Sequence, residues 1–251
     1  MINVENLTKQ FRAGDKVKVV LDHNSWSCSD GSITGFIGHN GAGKTTALKI
    51  MTGSMRPSDG RILLNGKDIV KDALEAKKQF GYVSDSPDHF LRLTGVEYLN
   101  FIADIYDVDS NVRTKFIKEY SERFDIAGAI GQSLLSYSHG MRQKLMIMAA
   151  LIHEPSIWIL DEPMTGLDPQ SAFELKKMMK EHAAKGHSVL FSTHVLEVAE
   201  KLCDQIVVIK QGKIIYDGTL ETLQKQYPED STLEEIFLQL NGIMKQEEAN
   251  A

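Results

Sequence analysis

Two short segments carry residue types suited to phosphate chemistry. Gly38-His39-Asn40-Gly41-Ala42-Gly43-Lys44-Thr45-Thr46 fits the pattern G-x-x-x-x-G-K-[ST]. Its glycines allow backbone N–H groups to turn inward around phosphate oxygens, and the start of a following helix adds a favourable dipole. Lys44 is then expected to reach the β- and γ-phosphates of a nucleotide, and the Thr45 hydroxyl to ligate Mg²⁺. The second segment, Ser156-Ile157-Trp158-Ile159-Leu160-Asp161-Glu162-Pro163, is an apolar run that ends in two carboxylates. Open α/β sheets place their ligands at the C-terminal ends of strands. There Asp161 would hold Mg²⁺ through water, and Glu162 would orient and polarise an attacking water as general base. Alone, an acidic pair after a strand is more often a helix cap; a phosphate loop beside it reverses that reading.

A third segment, Tyr137-Ser138-His139-Gly140-Met141-Arg142-Gln143-Lys144, begins about 24 residues before Asp161 and runs into a helical pattern at 145–152. A Ser hydroxyl and free N–H groups at a helix N-terminus form an anion site, but the same residues also describe an ordinary Ser-capped helix.

These segments need rigid supports, and the pattern supplies them. A strand at 32–37 feeds the glycine-rich loop, and a helix follows at 44–51. Further strands are expected at 61–64, around Val83, and at 157–160, 188–191 and 206–209. Between 89 and 150 the strand signal is lost and helices are expected, for example at 96–105 and 112–124. The alternation points to an α/β fold with a largely parallel sheet and a helical insertion. Residues 220–251 read as short helices with a frayed acidic end; Ile236, Phe237 and Leu240 at helical spacing predict a helix packed on the body.

Composition sets the boundaries. The 251 residues are 42% hydrophobic and 25% charged, as in ordinary globular proteins. A net charge of −6 argues against a non-specific nucleic-acid binder. Cys28 and Cys203 lie far apart, without CxxC or Cys/His spacing, which argues against a disulfide or zinc site and for a reducing compartment. The longest apolar run, 145–152, falls well short of the roughly 20 residues a membrane-spanning helix needs, and the N-terminus lacks the pattern of a signal peptide.

Together these residues resemble the ATP-binding-cassette (ABC) ATPases. Five elements stand in that family's order: the phosphate loop, a signature at 137–141, Asp161-Glu162, Thr165-Gly166-Leu167-Asp168 as the D-loop, and Ser192-Thr193-His194 as the switch histidine. The wording of the signature and Leu233-Glu234-Glu235-Ile236-Phe237 resemble the bacterial exporter-type subgroup. The resemblance implies a P-loop NTPase (RecA-like) core with a mostly parallel sheet, an N-terminal antiparallel β part and a helical subdomain at about 86–149. Residues 1–218 would form the cassette and 219–251 a C-terminal helical extension. It also implies that ATP is sandwiched head to tail between two copies, with Ser138 and Gly140 of one closing on the γ-phosphate held by Lys44 of the other. Asp168 would communicate across the dimer, His194 would bond the γ-phosphate, and Phe11 would stack on adenine. Two positions depart from the family pattern. Asp85 stands where glutamine is usual and is assigned to the Mg²⁺ site, and His139 replaces the first signature glycine. The implied partners are a polytopic transmembrane permease, through which alone the chain would meet the membrane, and a second ATPase subunit, the same or different. The expected place is the cytoplasmic face of a bacterial membrane. The alternative, a soluble ABC ATPase acting on nucleic acid or ribosomes, finds neither a long coiled-coil insertion nor a second cassette here.

Overall fold

A computed structural model describes residues 1–14, 16–86, 90–228 and 230–242. The chain opens with two long strands, β1 (Ile2–Ala13) and β2 (Lys16–Cys28), followed by β3 (Ile33–Ile37) and helix α1 (Lys44–Met51). Next come β4 (Asp59–Leu64), β5 (Lys67–Asp68), α2 (Ala73–Lys77) and β6 (Phe80–Val83). Three helices then run without an intervening strand: α3 (Gly95–Ile105), α4 (Ser110–Arg123) and α5 (His139–Leu151). The alternation resumes with β7 (Ile157–Asp161), α6 (Pro169–Ala184), β8 (Ser188–Thr193), α7 (Leu196–Leu202), β9 (Gln205–Lys210) and β10 (Lys213–Thr219). Helices α8 (Leu220–Gln224) and α9 (Leu233–Leu240) follow.

The strands form two sheets. One has the order β2-β1-β4-β5 and pairs antiparallel throughout; the other has the order β10-β9-β3-β8-β7-β6. In the second sheet every pairing is parallel except β9 with β10. Its central strands read as continuous apolar runs because helices and the first sheet cover both faces, so every residue of β3, β7 and β8 is buried. Helix starts are written in side chains. Thr94 with Glu97 and Thr232 with Glu235 form capping boxes for α3 and α9, Ser138 caps α5, and Asp168 with Pro169 starts α6.

The consequence for a site lies in the strand order. β8 runs between β3 and β7, with Ile37 paired to Thr193 and Asp161 paired to Ser192. The phosphate loop, the carboxylate pair and His194 therefore leave the same edge of one sheet on adjacent strands. The expected elements recur within one or two residues. Elements β5, α2, β10, α6 and α7 lie outside the segments the pattern marks, and the acidic end lies largely at 243–251, outside the described residues.

Candidate nucleotide-binding site

The phosphate loop leaves β3 after Ile37 and closes on α1 at Lys44. Gly43 has φ +117°, a conformation that side-chain-bearing residues rarely adopt. The loop is held from behind: Gly212 N–H donates to Ala42 O at 2.9 Å, and the ring of Phe237 in α9 lies 4.9 Å from that of His39. Lys44 is buried, donates from Nζ to Gly38 O at 2.6 Å, and stands 3.7 Å from Glu162 Oε1. A cleft of about 570 Å³ opens over this loop, and Phe11, Lys18, Asp85 and Glu162 also line it. Phe11 is 42% exposed at the cleft wall, with Lys9 Nζ 5.1 Å from its ring centroid.

The acidic pair divides into a buried and an accessible member. Asp161 is fully buried; Ser192 Oγ donates to its Oδ1 at 2.5 Å, while Oδ2 has no partner. Burial raises the Asp161 pKa, the Ser192 bond opposes this, and the nearby charge of Asp85 raises it further. A buried acceptor left unpaired is costly unless something fills its remaining lone pairs. Glu162 takes φ +47°, a strained conformation for a residue with a side chain, which costs about 1–3 kcal/mol. Its N–H donates to Ser192 Oγ at 3.0 Å, so one serine positions both acids. His194 Nδ1 lies 3.0 Å from Glu162 Oε2, within reach to donate to the carboxylate.

The hard oxygen donors of Thr45, Asp161 and Asp85 suit Mg²⁺, and the orphaned Asp161 Oδ2 is the observation that fits it. Among the described residues, no three His, Cys, Asp or Glu side chains form a metal cage of their own. Mg²⁺ commonly uses one or two carboxylates and takes its remaining ligands from substrate phosphates and water.

Ser138, Gly140 and Asp168 do not line the cleft. They form a second cluster, in which the start of α5 lies against the turn at 165–168. Ser138 Oγ accepts from Met141 N–H at 3.2 Å. A Cβ on Gly140 would sit 2.6 Å from Gly166 O, so this packing excludes any side chain there. The His139 ring lies over Gly166. Asp168 accepts from Ser171 N–H at 2.9 Å, Ser171 Oγ at 2.7 Å and Lys144 Nζ at 2.9 Å, and these bonds hold its carboxyl well below the usual range. Sequence reasoning did not assign roles to Ser192, Lys144, Ser171 or Lys18. The available signal for Ser192 was its place at the end of an apolar run, just before Thr193 and His194, but its partners follow from strand register.

The sheet order, phosphate loop and acid-ended strand define a P-loop nucleotide-binding cassette. Residues 21–165 match the ABC transporter family. The ABC-type transporter ATP-binding protein EcsA of Bacillus subtilis is 34% identical over 241 residues, 96% of each chain. The ABC transporter ATP-binding protein NatA of the same organism is 33% identical over 224 residues, covering 89% of this chain and 91% of NatA. A solved ATP-binding subunit of an ABC transporter superposes with a TM-score of 0.90 at 31% identity, over 96% of this chain and 99% of that one. A dimeric ATP-binding cassette in a post-hydrolysis state bound to ADP and Pi shares the fold, with a TM-score of 0.78 at 22% identity over 88% of this chain and 99% of that one. The chain belongs to the ABC transporter family, as one of its ATP-binding subunits.

Proposed function

We propose that the chain hydrolyses ATP to drive an exporter, through ATP-dependent head-to-tail dimerisation beneath a separate transmembrane permease. The observation that carries this reading is the set formed by Lys44, Asp161, Glu162 and His194 at one sheet edge, with a Ser138–Gly140 cluster that its own cleft does not use. A group placed away from its own cleft is suited to completing the cleft of a second copy.

In this reading the residues at 38–46 cradle the phosphates, with Lys44 leaving the Gly38 carbonyl to meet them. Phe11 stacks on the adenine. Glu162 orients the attacking water and accepts its proton, and His194, held against Glu162, reaches the γ-phosphate. Thr45, Asp161 and Asp85 would hold Mg²⁺, which when bound offsets phosphate charge. Ser138, Gly140 and Asp168 act on the partner subunit's nucleotide.

Residues 1–218 are read as the cassette, with the helical part at about 86–149 inserted and 219–251 as an extension. A permease is expected to dock on the helical part. Phe90, Phe101 and Ile105 are exposed there, with the Phe90 ring 5.4 Å from that of Phe101. No helix among the described residues is long and apolar enough to cross a membrane. Attachment to the cytoplasmic face of a bacterial membrane is therefore assigned to the permease.

The test is to tag the chain in its own cell, solubilise membranes in mild detergent, and identify what co-purifies. A polytopic membrane protein in stoichiometric amount is expected. Ribosomal or DNA-bound proteins, with the chain absent from membranes, would overturn the transport reading while leaving the ATPase.

A further inference from the structure

Helix α9 lies after the last strand, beyond the residues that build the cleft, yet it is fixed at its start to α7 and at its end to β9, whose following turn binds the phosphate loop. At its start, Leu233 N–H donates to Glu200 Oε1 of α7 at 3.0 Å. Along its length Leu233, Ile236 and Phe237 are buried in the main core. At its end, Lys210 Nζ donates to Asn241 O at 2.6 Å, and Asn241 itself donates from N and Nδ2 to Phe237 O at 3.0 and 2.7 Å. Lys210 is the last residue of β9, and the turn after it binds Ala42 through Gly212. A cavity of about 330 Å³ separates the C-terminal end of α9 from the loop, lined by His39, Asn40, Gly41, Lys210 and Asn241. The Phe237 and His39 rings form the aromatic contact between α9 and the loop.

We infer that Phe237 is a positioning residue of the nucleotide site, acting through His39. A loop with glycine at 38, 41 and 43 loses much conformational freedom when it wraps a phosphate. A ring that holds His39 in place reduces that loss before the ligand arrives, which strengthens binding by pre-organisation. The rings meet at 59°, within the tilted arrangements aromatic pairs favour. Binding coupled in this way is reciprocal: nucleotide on the loop must steady α9 by the same factor. The inference rests on the nucleotide-binding reading and adds to it a role for the C-terminal helix.

The experiment uses the full chain and a fluorescent ATP analogue, MANT-ATP, with Mg²⁺. Phe237→Ala is expected to weaken binding about three- to tenfold, the range one aromatic pair supplies, and Phe237→Tyr to restore it to within about twofold. KM for ATP rises while kcat at saturation changes less. His39→Ala weakens binding by a similar factor, and the double variant is no weaker than the worse single one. Losses that multiply independently, or a folded Phe237→Ala protein that binds as the wild type does, would overturn the inference. Should Phe237→Ala fail to fold, hydrogen exchange in the wild type decides. Nucleotide is expected to slow exchange of the amides at 233–240, less so in His39→Ala; no protection overturns the proposal. A wild-type chain that does not bind MANT-ATP sinks the nucleotide reading itself, an outcome distinct from these.

Discussion

Replacing Glu162 by Gln separates what the carboxylate does chemically from what it does to charge. The amide has nearly the same shape, and its oxygen can still accept from His194 Nδ1, now 3.0 Å from Glu162 Oε2. Two properties are lost: the basic oxygen that takes a proton from water, and the negative charge 3.7 Å from Lys44 Nζ. Loss of a positioned general base lowers turnover by roughly 10²- to 10⁴-fold, equivalent to about 3–5 kcal/mol of barrier. The lost charge acts the other way on binding. Opposite charges 3.7 Å apart attract by about 4 kcal/mol at an effective dielectric of 20, before solvation costs. Lys44 is thus freed towards phosphate, and a carboxylate that repels phosphate is removed. The expected result is turnover lower by at least about 10²-fold, with ATP bound as tightly as in the wild type or more tightly. Phosphate release at saturating ATP measures the first and MANT-ATP titration the second. Turnover within a few-fold of wild type would refute the assignment of the base, and weakened binding would refute the charge argument.

Ser138→Arg should leave ATP binding by the monomer intact but abolish ATP-dependent dimerisation, read by size-exclusion chromatography in the Glu162→Gln background; an unchanged dimer refutes the composite site. Ser192→Ala removes a bond to buried Asp161 and the acceptor for Glu162 N–H, and should lower stability by about 1–3 kcal/mol in urea denaturation; an unchanged midpoint would show that Ser192 does not hold the pair. Burial pushes His153 and His182 down to about 4. Their folded pKa values lie below the unfolded value near 6.5, so protonation favours the unfolded chain. The stability they contribute is present above about pH 6.5 and lost as pH falls towards 4, on the order of 2–3 kcal/mol for each. Urea midpoints between pH 7.5 and 5 test this, and a slope as steep in His182→Gln as in the wild type argues against it.

Much of the site was legible because its chemistry is local. The phosphate loop and the acid-ended strand are contiguous, and each brings its own turn or strand end. Asp161 and Glu162 could be told apart as pair members from order alone. That one is sealed and the other strained follows from where β8 lies, which depends on contacts made about 30 residues away. The long N-terminal strands were legible only through the family resemblance, since clean alternation of buried and exposed residues in β2 is confined to residues 24–28 and the two strands pair through register shifts. Helix α6 had a clear start in Asp168-Pro169 that was read for its chemistry rather than as a cap. His139 could be read only as a replacement for the first signature glycine; that its ring covers Gly166 is set by tertiary packing.

The contact between α5 and the turn at 165–168 also bears on timing. Gly140 abuts Gly166 O, Lys144 binds Asp168, and Gln143 Nε2 donates to Pro163 O at 3.4 Å, so the first turns of α5 grip the segment that continues from Glu162. In the head-to-tail dimer proposed above, the end of α5 that a subunit lends to its neighbour is geared to the loop carrying its own acid pair. A neighbour that lets go of Ser138 would tug on Glu162, and phosphate leaving one cleft would register in the other. Two such clefts would behave as an escapement, each tooth released by the motion of its opposite.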